Sequence, residues 1–397
     1  MKKKLVQFGA GNIGRSFIGQ IFSQNGYEIV FIDINQRIIN SLNEKRSYQV
    51  IIKSNNNSDQ TILIKNVRAV SINDTKKVVE EIIDTSYIAT SVGKGVLDNI
   101  LPIITKGILE KKKRSPDSKL DIIIAENIRD GAPFFSKELK KKLPADFDLT
   151  NTVGLIETSI GKMVPVMRVE DLAKDPLWVF AEPYNTLILD KKGFLNPIPD
   201  IPQLHCVDNI KAYVDRKSFI HNLGHAAAAY FGYQHNASFK YIFEALRIPP
   251  VMENTRQCMQ QSKAALLKEY PDVFTHQDLD NHINDLLERF QNRALGDTIY
   301  RVGRDLYRKL DKSDRLIGAM LLAKKHKLPS NAIARAFIAA LKFKAGDEKK
   351  TLFSSDEDFH QKESSKGVEY ILMNVSHLRN DDMLEKNVID EIMDCVK

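Results

Sequence analysis

The sequence predicts two structural classes in one chain: an α/β, Rossmann-type doubly wound sheet over residues 1–203, and a mainly α-helical domain over 204–397. Three observations predict this. A Gly-x-Gly-x-x-Gly run lies between a short apolar stretch and a helical pattern near the N-terminus. Apolar runs of strand length then alternate with amphipathic helical stretches to about residue 125, the pattern of βαβ units. Beyond Val207 the apolar residues recur at helical spacing and strand signals almost vanish.

A chain of 397 residues accommodates two domains, each with a sizeable core. Its 43% hydrophobic and 27% charged residues are ordinary for a soluble globular protein. The excess of 58 basic over 51 acidic residues, +7, is mild and scattered, with no aromatic-interleaved basic stripe. No nucleic-acid partner is expected, whereas an anionic small molecule would suit any cleft on which that charge converges. Cys206, Cys258 and Cys395 are too few and too far apart for a zinc site or a disulfide framework, as expected of reduced thiols in the cytoplasm. No stretch reaches the roughly 18 apolar residues of a membrane span, so no membrane partner is expected.

The first strand, Leu5–Phe8, runs into Gly9, Ala10, Gly11, Asn12, Ile13 and Gly14, and then into a helical pattern through Phe17, Ile21 and Phe22. Gly9 permits the tight turn, Gly11 lets a pyrophosphate approach the backbone, and Gly14 lets helix and strand pack closely. The helix N-terminus offers N–H groups and a positive dipole end to phosphate. A second strand ends at Asp33, 19 residues past Gly14. A carboxylate there accepts from a ribose 2′-hydroxyl and repels a 2′-phosphate, which favours NAD over NADP, with Arg37 moderating the preference. After a polar, insertion-like stretch at 55–58, a helix is expected over 75–83, a strand over 87–90, a helix over 96–113 and a strand over 120–125. Ligands of such sheets bind beyond the carboxyl ends of the strands, where Ser91–Gly95 and Glu126–Gly131 fall. Asn127 is therefore placed to reach a substrate, or else serves an Asx turn or helix cap.

Strand-like runs at 152–157 and 179–188 and a proline-rich crossover at 194–202 lead into the second domain. Helices are expected near 208–232, 238–246, 251–269, 278–290, 296–310, 313–325, 330–344, 366–378 and 383–396, with 344–362 a polar surface loop. The first of these, with Asp208 as its N-cap, carries Lys217, Asn222 and His225, which at about 100° per residue share an arc of roughly 140°. An amine, a carboxamide and an imidazole facing one way suit a site where a base takes a proton and donors hold the oxygen left behind. Each could equally be a solvated or paired rim residue. His221 shares the arc, but the His221/His225 pair lacks the glutamate and third ligand of a zinc motif, so no metal is expected. If 296–310 is one helix, Arg301, Arg304 and Arg308 fall within about 60°, next to Lys309. That row could grip a phosphate with arginine forks, or be a charged face paired with Asp297 and Asp305.

Lys217-x4-Asn222-x2-His225 resembles the Lys-x4-Asn-x2-His signature of the polyol-specific long-chain dehydrogenases, the mannitol dehydrogenase family. The opening Phe8–Arg15 run, Ala125-Glu126-Asn127, Arg301-Val-Gly-Arg304, Arg308-Lys-Leu and Asp314-Arg-Leu extend the likeness over nearly the whole chain, towards the members acting on sugar-alcohol phosphates. Ser16 and His221 depart from the family pattern. The resemblance implies NAD as cofactor and reversible oxidation of D-mannitol 1-phosphate to D-fructose 6-phosphate without a metal. It implies Lys217 as general base, Asn127 and Asn222 as holders of the reacting oxygen, and His225 as a substrate-binding partner. A monomer or weak homo-oligomer is expected. The alternatives are a relative acting on an unphosphorylated polyol or a hexuronate, and a catalytically idle NAD-binding regulator.

Overall fold

Strand β1 (Lys4–Phe8) is buried at every position, as a strand covered on both faces must be. In the computed structural model, which describes residues 3–55, 58–165, 167 and 169–396, β1 lies inside an eight-stranded sheet. Its neighbours are β2 (Glu28–Asp33) on one side and β6 (Tyr87–Thr90) on the other, both parallel to it. Outward lie β5 (Val67–Ser71) beside β2, and β7 (Leu120–Ile124) then β8 (Val153–Ser159) beyond β6, again parallel. Strand β10 (Leu187–Asp190) pairs antiparallel with β8 and carries the parallel edge strand β11 (Leu204–Val207). The chain leaves β1 in one direction and returns to its other flank at β6. That reversal opens a crevice beyond the carboxyl ends of β1 and β6.

A second sheet joins β3 (Ser47–Ile52), β4 (Gln60–Lys65) and β9 (Val179–Ala181) in the order β4-β3-β9. In sequence this region reads only as an insertion, and part of it, Asn56 and Asn57, lies outside the described residues. Tyr48, Val50 and Ile52 point into the core, but β9, the strand that completes the sheet, is far along the chain.

The chain divides into two units, Met1–Ile210 and Lys211–Lys397. The second is built of helices around Leu223–His235, whose run Ala226–Ala229 is fully buried. Small residues let neighbouring helices approach closely: a Cβ on Gly224 would lie 2.6 Å from Met259 Sδ, and one on Gly232 would lie 2.5 Å from Ala245 Cβ. Two expectations fail in this unit. The segment 296–310 is not one helix but two short ones, Ile299–Gly303 and Leu306–Leu310, separated by Asp305 at φ +74°. The polar stretch 344–362 is not all loop: it contains the helix Ser354–Lys362, with Asp356 only 2% exposed. Among the described residues, no helix is long and apolar enough to cross a membrane.

Candidate active site

The first unit supplies a glycine turn of the geometry its spacing implies. Gly9 sits at φ +91°, where a Cβ would lie 2.6 Å from the Ser91 carbonyl oxygen, and a Cβ on Gly14 would lie 2.1 Å from the Gly9 carbonyl. A Cβ on Gly11 would meet nothing within 4 Å, so the turn is tight beneath and open above, as a pyrophosphate requires. Asp33 reaches back from the end of β2, one carboxylate oxygen accepting from Ala10 N–H at 2.7 Å and the other from Asn35 N–H at 2.8 Å. It remains partly exposed, with lone pairs left for a ribose hydroxyl. Arg15 fastens the turn from behind, donating to the carbonyls of Ala10 at 2.7 Å and Leu177 at 2.6 Å.

Asn127 is exposed just past β7. It is not the cap of the helix Gly131–Lys140, whose first N–H groups go to the Glu157 carboxylate; burial keeps that group protonated to higher pH than usual. The residue before it, Glu126, is buried and accepts from the N–H groups of Val92 and Gly93, each at 2.9 Å. This carboxylate ties the exits of β6 and β7 together. Sequence reasoning gave it no role, because an acid beside an asparagine shows nothing of which backbone it reaches.

In the second unit the helix over 210–235 begins at Ile210, one residue late for an Asp208 cap, and Asp208 instead lies 3.6 Å from Lys191. Its segment Lys217–Asn222 is a π-helical turn. Residues five apart diverge by about 140° in an α-helix, but where hydrogen bonds close from i to i+5 they stand nearly one above the other. Lys217 and Asn222 therefore share a face more closely than regular helical spacing allows. Burial, and to a lesser degree the charges of Arg315 and Arg308, push the Lys217 amine down to about 8, with Asp314 opposing.

His225 stacks on Phe290 at 4.5 Å, with ring planes 5° apart. Its Nε2 lies 2.9 Å from Asp297 Oδ2, at ion-pair distance but without a well-aligned hydrogen bond. Burial raises Asp297, yet His225 and Arg301 together outweigh it and hold the carboxyl below its usual range. His221 is buried, and burial, with Arg289 and His225, pushes it well below the ordinary imidazole value, so it stays neutral. Its ring centroid is 6.3 Å from that of His225.

The proposed phosphate row does not form one surface. Arg301 is engaged by Asp297, and Arg304 lies over the rings of Phe353 at 4.9 Å and Tyr300 at 5.3 Å. Lys309 is 3% exposed, donates to the Arg304 carbonyl, and is pushed far below the usual lysine range by burial and by Arg315 and Arg308. Arg308 pairs with Asp305 and lies 3.3 Å from Asp314. The break at 304–305 turns it towards Arg315, which sits 2.6 Å from Asp314 and donates to the Asn222 carbonyl at 3.3 Å. Arg315 is thus a site residue missed in the sequence, although its motif, Asp314-Arg-Leu, was visible.

A parallel sheet with this turn and acid, joined to a helical unit presenting a depressed lysine beside an asparagine and a histidine, defines a dinucleotide-dependent dehydrogenase acting on an alcohol. The description "Mannitol dehydrogenase Rossmann domain" matches residues 3–203, and "Mannitol dehydrogenase C-terminal domain" matches 209–396. The chain belongs to the mannitol dehydrogenase family. A D-sorbitol dehydrogenase in substrate-free form has a TM-score of 0.76 at 15% identity, over 98% of this chain and 92% of that one. A Pseudomonas fluorescens mannitol 2-dehydrogenase, in ternary complex with NAD and D-mannitol, has a TM-score of 0.75 at 13% identity, over 99% and 90%. At these identities the likeness is one of fold.

Proposed function

We propose that the chain is an NAD-dependent dehydrogenase interconverting D-mannitol 1-phosphate and D-fructose 6-phosphate. The observation that carries the reading is the depressed Lys217 amine with Arg308 and Arg315 converging on it. A lysine ordinarily titrates near 10.4 and is a poor base at neutral pH. At about 8 a useful fraction is unprotonated. In the oxidative direction Lys217 takes the hydroxyl proton as the carbon–hydrogen pair departs as hydride and the carbonyl forms. Asn222 holds the developing alkoxide by side-chain N–H donation, and His225, oriented by Asp297 and Phe290, holds a neighbouring hydroxyl. NAD, when bound at the glycine turn, supplies the hydride acceptor. The guanidinium forks of Arg308 and Arg315, oriented by Asp305 and Asp314, suit a dianionic substituent on the substrate.

A second reading is an unphosphorylated polyol as substrate, favoured by the engagement of Arg301 and Lys309 within the protein. NADH oxidation with fructose 6-phosphate against fructose separates the two. A kcat/KM at least a hundredfold higher for the phosphate is expected; equal values would overturn the proposal. No oxidation with either would leave the idle regulator.

A further inference from the structure

The break that re-aims the basic segment is held from three sides. Asp356, on the helix Ser354–Lys362, accepts from Asp305 N–H at 3.0 Å on each carboxylate oxygen, and from Leu306 N–H at 2.7 Å. The buried Tyr230 hydroxyl donates to the Gly303 carbonyl at 3.0 Å, so the end of one short helix is tied down while the start of the next is capped. The Phe343 ring lies where a Cβ on Gly303 would be, 2.2 Å away, so only glycine fits there.

Asp305, a non-glycine residue at φ +74°, sits in a strained conformation that persists only where surroundings enforce it. Asp356 is the enforcing group. Without it the N–H groups of Asp305 and Leu306 lose their acceptors, and only the Tyr230 hydroxyl on Gly303 and the packing of Phe343 still oppose relaxation of 303–308 towards a continuous helix. Such a helix would turn Arg308 and Lys309 away from Asp314 and Arg315.

We infer that Asp356 is a positioning residue for substrate recognition: by holding the break at 303–305 it sets where Arg308, beside Arg315, meets the anionic end of the substrate. It touches no reacting atom, and its effect runs through the backbone it caps. The inference rests on the sugar-phosphate reading above. It also gives a function to a polar stretch that reads, in sequence, as a surface loop.

The test is steady-state kinetics of Asp356→Ala and Asp356→Asn with fructose 6-phosphate and with fructose, alongside thermal unfolding. Asp356→Ala is expected to raise KM for fructose 6-phosphate at least tenfold, and to lower at least tenfold the ratio of kcat/KM for fructose 6-phosphate to that for fructose. The carboxamide in Asp356→Asn would keep the oxygen that serves both Asp305 and Leu306. That variant is therefore expected to recover most of the ratio, which also covers the case in which the alanine variant does not fold. An unchanged ratio, with both substrates declining together, would make Asp356 a stability residue and overturn the inference alone. A wild-type protein that does not distinguish the substrates removes the sugar-phosphate reading itself, and this inference with it.

Discussion

The glycine turn and the basic segment 296–315 contrast in how their shapes are determined. Both announce themselves by spacing. The turn folds as its spacing implies because its constraints are local: Gly14 must clear Gly9, and Asp33 closes on Ala10 from the next strand. The basic segment does not fold as its spacing implies, because its decisive partner, Asp356, lies on a helix some 50 residues further along. Where a motif's geometry is fixed within one supersecondary unit, spacing predicts it. Where a distant side chain satisfies its backbone, spacing misleads.

The largest effect expected is on the base. Lys217→Met should lower turnover by about 10³-fold or more at pH 7 while leaving NADH binding, measured by fluorescence, nearly unchanged. It should also raise Tm. The wild-type amine titrates lower in the fold than in the unfolded chain, so folding is opposed by up to about 3 kcal/mol below pH 8, an opposition that fades between pH 8 and 10.5. A stabilised, inactive variant supports the assignment; an active one breaks it.

Next come the glycines, which probe the local side of the contrast. Gly14→Ala must displace the Gly9 carbonyl and should weaken NAD binding more than tenfold, with a loss of stability. Gly11→Ala meets open space and should fold normally, weakening NAD severalfold through obstruction of the phosphates alone. Equal thermal destabilisation of the two would show that the turn is not built as described.

The arginines probe the distant side. Arg315→Gln should raise KM for fructose 6-phosphate about tenfold. It should also move the acid limb of the polyol-oxidation pH profile, near pH 8 in the wild type, to higher pH, because a cation that favours the neutral amine is gone. Arg304→Ala should change KM less than about threefold, since that guanidinium lies over aromatic rings. The reverse order would restore the continuous-helix picture.

The smallest effect is a matter of pH alone. His221 is neutral in the fold but can protonate once unfolded, so stability should fall as pH drops below about 6.5. His221→Leu should lose less Tm than the wild type between pH 7 and pH 5. Parallel acid-melting curves would argue against a buried neutral imidazole.

What the amino-acid order determined by itself is whatever depends on near neighbours: the strand–turn–helix of the glycine motif, the acid ending β2, the signature Lys217-x4-Asn222-x2-His225, and the change from alternating to helical pattern between the halves. Tertiary structure decided the rest. The sheet of β3, β4 and β9 needs a strand contributed from far along the chain. The depression of Lys217 comes from burial and from charges brought in by Arg308 and Arg315. The π turn that aligns Lys217 with Asn222 is invisible to a 3.6-residue period. The bend at Asp305 exists because a buried carboxylate remote in sequence satisfies the N–H groups it exposes, and no local propensity encodes a hydrogen bond of that separation.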